Sequence, residues 1–190
     1  MAAYTGARRE EIGQLTVADI RLVGNMHVIN ITDLDPDQKI KNKHSLRTIP
    51  IPSAIVKAGF IDYVQQRRDA GAKYIFQRLH TDNRTKKQAL VDVEPDKRGR
   101  FTEVYGKSFL RTVRKPLGLM EKGMKFHSLR HSWTDAARRA GIDPEIRRKI
   151  AGRMDNEDAV EGGYGDDQLL SLKLEALEAV ALEVRNVEAL

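Results

Sequence analysis

The chain has 190 residues, 41% of them hydrophobic and 32% charged, the proportions of an ordinary globular protein able to bury one core, so a single domain is the starting expectation. It has no cysteine, which removes disulfides, thiolate nucleophiles and cysteine-based zinc sites and fits a reducing compartment; no apolar run approaches the roughly 20 residues of a membrane helix and no secretory layout opens the chain, so a cytoplasmic protein with no membrane partner is expected. A net charge of +6 and a pI near 9.5 favour a polyanionic partner, because phosphate contacts supply most nonspecific nucleic-acid affinity.

Residues Thr5 to Gln14 read as a helix with Ile12 and Leu15 apolar and acids in its early turns. Arg21 to Val23 and Met26 to Ile31 flank Gly24-Asn25, a two-residue turn that suits a hairpin. A third strand is expected over Arg47 to Ile51, after the polar stretch Asp33 to Ser45, whose Lys39, Lys41 and Lys43 belong on an unburied, mobile hairpin tip. Val56, Phe60 and Val64 recur at four-residue spacing within Ser53 to Arg68, which predicts one amphipathic helix. Thr81 to Arg100 is crowded with charge and holds Pro95 and Gly99, so it reads as a loop without fixed structure, one that DNA binding could order.

Phe101 to Lys115, with Tyr105, Phe109 and Val113 in register, predicts a helix that stops before Pro116. His127 to Ala140 carries Leu129, Trp133 and Ala137 on one stripe and ends at Gly141; Asp143-Pro144 then supplies an N-cap and first-turn proline for a short helix ending at Gly152. Beyond Asp155 to Gly163, a stripe of Leu170, Leu174, Leu177, Ala181 and Val184 predicts a long helix that must bury that face, on this domain or on a neighbouring subunit. The fold class is α+β, mostly helical with a small three-stranded antiparallel sheet.

Four clusters carry chemistry. Arg8 and Glu11 are three apart, so on a helix the carboxylate could hold the guanidinium for phosphate binding, or the two could form a solvated surface pair. Lysines before the Arg47-Thr48-Ile49-Pro50 strand could protonate a leaving oxygen, or could simply keep a sheet edge soluble. In His127-Ser128-Leu129-Arg130-His131, His127 and Arg130 share a helix face and could bind one phosphate while Leu129 and Trp133 anchor the opposite side; a surface pair is the blander reading. Tyr164 stands between glycines, which present a side chain to a ligand or merely make a flexible loop; as a nucleophile it would need neighbouring cations, since phenol ionises near pH ~10.

In this order, a TGxRxxE-type helix, a lysine hairpin ending in Arg-Thr-Ile-Pro, an HxLRH helix and a tyrosine shortly after a helix closing in Ala-Gly, the motifs resemble those of the tyrosine recombinase, or phage integrase, family over about Thr5 to Gly165. The resemblance implies a site-specific recombinase that cleaves and rejoins double-stranded DNA through a 3′-phosphotyrosine. Arg8 and Arg130 would clamp the scissile phosphate, Lys41 would be the general acid with Lys39 and Lys43 as alternatives, and His127 would assist proton transfer. Tyr164 would be the nucleophile, Glu11 would orient the first arginine, and Lys39, Lys43 and His131 would contact DNA. Residues 1–190 would be a catalytic domain with 166–190 as a C-terminal helical tail, a fragment of a longer bacterial or phage integrase that has a core-binding domain before it. Assembly on DNA as a homo-oligomer, through that tail, is also implied.

No metal and no cofactor are implied, and no carboxylate cluster suited to a metal is found. The family usually places histidine or tryptophan after the Ala-Gly, where this sequence has Arg153, a longer and permanently charged donor that would take that catalytic place. A type IB topoisomerase shares the chemistry, though the HxLRH form favours the recombinase. A non-catalytic DNA-binding module that keeps the fold is the alternative from another class, and Arg153 is the feature that separates the two.

Overall fold

A computed structural model describes residues 1–102, 106, 109, 125–153 and 166–188. The expected single helix at the N-terminus is instead two short ones, α1 (Ala2–Thr5) and α2 (Arg9–Gly13). Gly6 adopts φ 62°, a left-handed conformation that ends α1 after one turn. A β-carbon there would also lie 2.6 Å from the Trp133 ring, so the break is fixed both by backbone conformation and by packing.

Strands β1 (Ile20–Val23) and β2 (Met26–Ile31) form the expected hairpin, and β3 (Arg47–Pro50) pairs antiparallel with β2 through Ile29↔Ile49 and Asn30↔Thr48. Ile29, Ile31 and Ile49 from this sheet enter the main core with Leu15, Trp133, Ala137 and Ile150. The β2–β3 connection is pinned, contrary to the expectation of a wholly unburied tip. Gln38 is buried and donates to Asp19 at 2.7 Å, the Lys39 amide donates to Gln14 at 3.0 Å, and Ser45 is fully buried, while Lys39, Lys41 and Lys43 stay exposed.

The expected helix over Ser53 to Arg68 divides at Gly59 into α3 (Ser53–Lys57) and α4 (Phe60–Asp69). The phase change leaves Val56 exposed while Val64 is buried. The stretch from Thr81 read as an unstructured loop contains β5 (Gln88–Asp92), which pairs with β4 (Gln77–Thr81) in a second sheet, from Gln77↔Asp92 to Thr81↔Gln88. These strands carry no apolar alternation, because the ribbon buries little on either face. A small cluster of Tyr74, Val93 and Phe101 seats its base, and Arg67 ties Asp92 and the Tyr74 carbonyl there. Of the helix expected over Phe101 to Lys115, all but Phe101, Thr102, Gly106 and Phe109 lies outside the described residues, as do Asp155 to Gly163.

Helix α5 (Ser128–Arg139) ends where glycine was expected to stop it, and Asp143 caps α6 (Pro144–Ala151) by accepting from the amides of Glu145 and Ile146. Helix α7 (Asp166–Glu188) lays Leu170, Leu177, Val180 and Ala181 into this same chain, against α5, α1, β3 and α6. Polar ties set its register: Glu178 accepts from the amide and hydroxyl of Ser53 at the partly buried start of α3, and Lys173 donates to the Thr48 carbonyl at 3.0 Å. No helix among the described residues is long and apolar enough to cross a membrane.

Candidate active site

Because α1 stops at Gly6, Arg8 is extended at φ −69° and ψ 151° and stands at the N-cap of α2 rather than within a helix. Its three-residue offset from Glu11 therefore works as a cap. The Arg8 amide donates to Glu11 Oε2 at 2.7 Å and its Nη1 to Oε1 at 2.5 Å, so one carboxylate satisfies an orphan helix-end amide and aims the guanidinium. The same carboxylate accepts from Arg47 Nη2 at 2.8 Å and Nη1 at 3.2 Å.

The side chains of Glu11 and Arg47 are each 4% exposed, a pair buried deeply enough that neither charge could stand alone. Burial alone would raise the Glu11 carboxyl; hydrogen bonds and charge from Arg47, with the Arg8 amide and guanidinium, hold it below the ordinary range. Arg47 also donates to the carbonyls of Ser45 at 2.7 Å and Ile150 at 2.7 Å, and Arg8 Nη2 donates to the Gly152 carbonyl at 3.1 Å. A β-carbon on Gly152 would meet Arg47 Nη1 at 2.7 Å, so only glycine lets the end of α6 close over the arginines.

Arg130 lies on the core face of α5 with Trp133 and Ala137, not on an outer face with His127 as the spacing suggested. His127 is exposed at the N-cap of the helix. Arg130 Nη1 donates to the Gly6 carbonyl at 2.5 Å and Nη2 to the Ala151 carbonyl at 2.6 Å, which uses two of the five guanidinium donors. Burial, then the charges of Arg8 and Arg153, push Arg130 down to about 10, still protonated at neutral pH. The His127 imidazole is likewise lowered, by burial and then by His131, Arg130, Arg153 and Arg8; its ring meets His131 edge-on at 5.1 Å. Three arginines thus bear on one neutral imidazole.

Arg153 is exposed at the end of α6 and lines a cleft of about 340 Å³ with Lys43, Arg47, Arg148, Lys149 and Lys173. Of the three lysines in the β2–β3 connection, Lys43 is the one on that cleft; Lys39 lies over Gly99, and Lys41 is exposed to solvent. Tyr164 lies outside the described residues. Arg47, Ser45 and Gly152 escaped the reading of the residues alone. The available clue was an arginine opening a strand of otherwise core-facing residues, which obliges a carboxylate to meet it.

An apolar scaffold whose helix ends and sheet edge deliver arginines and an imidazole to one surface suits an anion whose charge grows during reaction. The model of the phage integrase family matches residues 1–158, and the chain belongs to that family of tyrosine-type site-specific recombinases. No curated protein and no solved structure matches the chain.

Proposed function

We propose that this chain is the DNA-cleaving and rejoining domain of a tyrosine recombinase acting on double-stranded DNA. The observation that carries the reading is the convergence of Arg8 and Arg130, aimed by Glu11 and by the carbonyls of Gly6, Ala151 and Gly152, beside His127 and Arg153. Arg8 and Arg130 take the non-bridging oxygens of the scissile phosphate; their partners hold them in place before substrate arrives, so little reorganisation is left for the reaction.

Tyr164 Oη attacks phosphorus and the bond to the 5′-oxygen breaks, leaving a 3′-phosphotyrosine and a 5′-hydroxyl. The phenolic proton passes to His127, whose own protonation is opposed first by burial and then by its cationic neighbours, so that it is available as an acceptor. The departing oxygen takes a proton from a lysine of the β2–β3 connection, Lys41 by motif register or Lys43 by its place on the cleft. Arg153 donates to the same phosphate. Attack by a 5′-hydroxyl of another strand reverses these steps and conserves the bond energy, so no cofactor is consumed. His131 and Lys39 contact flanking DNA, the family's usual core-binding domain would grip the opposite side of the duplex, and recombination proceeds in a homo-oligomeric assembly in which the C-terminal tail serves as a contact. Cytoplasmic action follows from the substrate.

The test is capture of a covalent adduct on a nicked duplex. The unmodified chain forms it, Tyr164→Phe forms none while binding duplex with nearly unchanged affinity, and Arg130→Ala loses the adduct and weakens binding. Adduct formation by Tyr164→Phe would overturn the assignment of the nucleophile. Arg153 favours a second reading, a DNA-binding module without cleavage. No adduct from the unmodified chain, with cleavage gained by Arg153→His, would place the loss at that position, whereas silence in both supports the module.

A further inference from the structure

The β4–β5 hairpin has no part in the site above. Every residue from 78 to 90 is exposed, and an isolated two-stranded ribbon contributes little stability of its own. Its charges are arranged unevenly. Asp92 is occupied by Arg67, and the Asp82 carboxylate accepts from the Arg84 amide at 2.9 Å, the Thr85 amide at 2.5 Å and the Thr85 hydroxyl at 2.8 Å. Both acids are therefore satisfied inside the protein. The four cations, Arg78, Arg84, Lys86 and Lys87, have no side-chain acceptor among the described residues.

The tip is also set in advance. The Asp82 amide donates to the Lys87 carbonyl at 2.9 Å, Lys86 N donates to the Asp82 carbonyl at 2.9 Å, and Lys86 holds φ 58°, so a ligand meeting this turn finds it ordered and the entropy cost of binding is small. Five residues per strand extend the ribbon by roughly 17 Å, and a major groove about 12 Å wide admits a two-stranded β-ribbon.

We propose that this hairpin is a second DNA-contacting element, a basic ribbon whose tip places Arg84, Lys86 and Lys87 against the phosphates of a duplex. The inference rests on the reading of the chain as a DNA recombinase and adds a contact separate from the cleavage site. The competing occupant is a second copy of this chain on the exposed cross-strand pair Leu79 and Leu90. Two leucines supply too little area for a stable interface, which buries roughly 1,200–2,000 Å², and a lysine-rich tip is the composition that interface cores avoid.

The experiment measures duplex binding by the whole chain across a salt series, for the unmodified protein, for Arg84→Gln/Lys86→Gln/Lys87→Gln, and for Leu79→Ser/Leu90→Ser. Loss of three phosphate contacts makes the log–log salt slope shallower by about 2 to 3, with an unchanged urea midpoint; the leucine variant keeps the original slope and association state. An unchanged slope in the triple variant, while the unmodified chain still binds duplex steeply, overturns the hairpin contact and leaves the recombinase reading standing. No duplex binding by the unmodified chain overturns both. A leucine variant that loses a dimer, with the triple variant binding DNA normally, assigns the ribbon to a second copy instead.

Discussion

Arg8, Arg47 and Arg130 are enclosed by Glu11 and by five backbone carbonyls, those of Gly6, Ser45, Ile150, Ala151 and Gly152. Arg78, Arg84, Lys86 and Lys87 stand on an exposed ribbon with no such enclosure. Both regions are basic, yet the first meets its desolvation and orientation costs during folding, and so can present charge at a defined point. The second keeps its side chains hydrated and free, which suits long-range attraction and screens readily with salt. Net charge alone does not distinguish these uses; the acceptors do.

The largest expected effect separates the two regions by stability. Glu11→Ala leaves Arg47 buried without its anion and should cost about 3–5 kcal/mol, read as a lower urea midpoint. Asp82→Ala, which removes hydrogen bonds from an exposed turn, should cost about 1 kcal/mol or less. Equal losses would show that the buried and the exposed carboxylate are held alike.

Next in size is the coupling within the enclosed set. Arg47→Met and Glu11→Gln should each destabilise, but the double variant should recover roughly 0.5–3 kcal/mol of the summed loss, because each change removes the charge the other leaves stranded. Strict additivity would show that Arg47 acts through the carbonyls alone.

Acidification should then sharpen the picture. The Glu11 carboxyl is held below its ordinary 4.5, so the stability it confers is complete above that value and is lost as pH falls through the lower folded value. His127 is held below 6.5 by burial and then by neighbouring positive charge, so it carries no penalty above 6.5, and a destabilising one accumulates as pH falls from there through its lower folded value. Urea midpoints measured from pH 7 downward should fall first with His127 and then with Glu11, and Glu11→Gln should lose the lower step while keeping the upper. The smallest expected effect is on the ribbon, where Arg84→Gln, Lys86→Gln and Lys87→Gln should each shift stability by about 0.5 kcal/mol or less while changing the salt dependence of binding.

Much of the fold could be read from the residues because its elements are locally punctuated. Gly24-Asn25, Gly141, Asp143-Pro144 and Gly152 mark ends that the structure respects. The failures arose where periodicity competed with tertiary contact. Thr5 to Gln14 and Ser53 to Arg68 carry acceptable helical patterns, but Gly6 answers to the Trp133 ring and Gly59 to a change of phase. The β4–β5 ribbon was hidden because a strand exposed on both faces has no apolar alternation to show. For the site, spacing joined Arg8 to Glu11 but supplied the wrong reason, a helix face in place of a cap. The strand pattern hinted that Arg47 needs an anion but not which one, since apart from the Ser45 carbonyl its acceptors come from α2 and the end of α6.

Those distant acceptors also govern when the site can exist. The bonds Arg8 to Gly152, Arg130 to Gly6 and Arg47 to Ile150 span 144, 124 and 103 residues of chain. During synthesis the first arginine and its carboxylate emerge well before the Gly152 carbonyl that completes their cradle, which comes only with the end of α6. A nascent or truncated chain ending before residue 150 therefore carries the conspicuous Arg8-to-Glu11 motif without a working cradle. Closing such long loops is entropically costly and slow, so competence to hold a phosphate arrives late, as a property of the finished fold rather than of the motif.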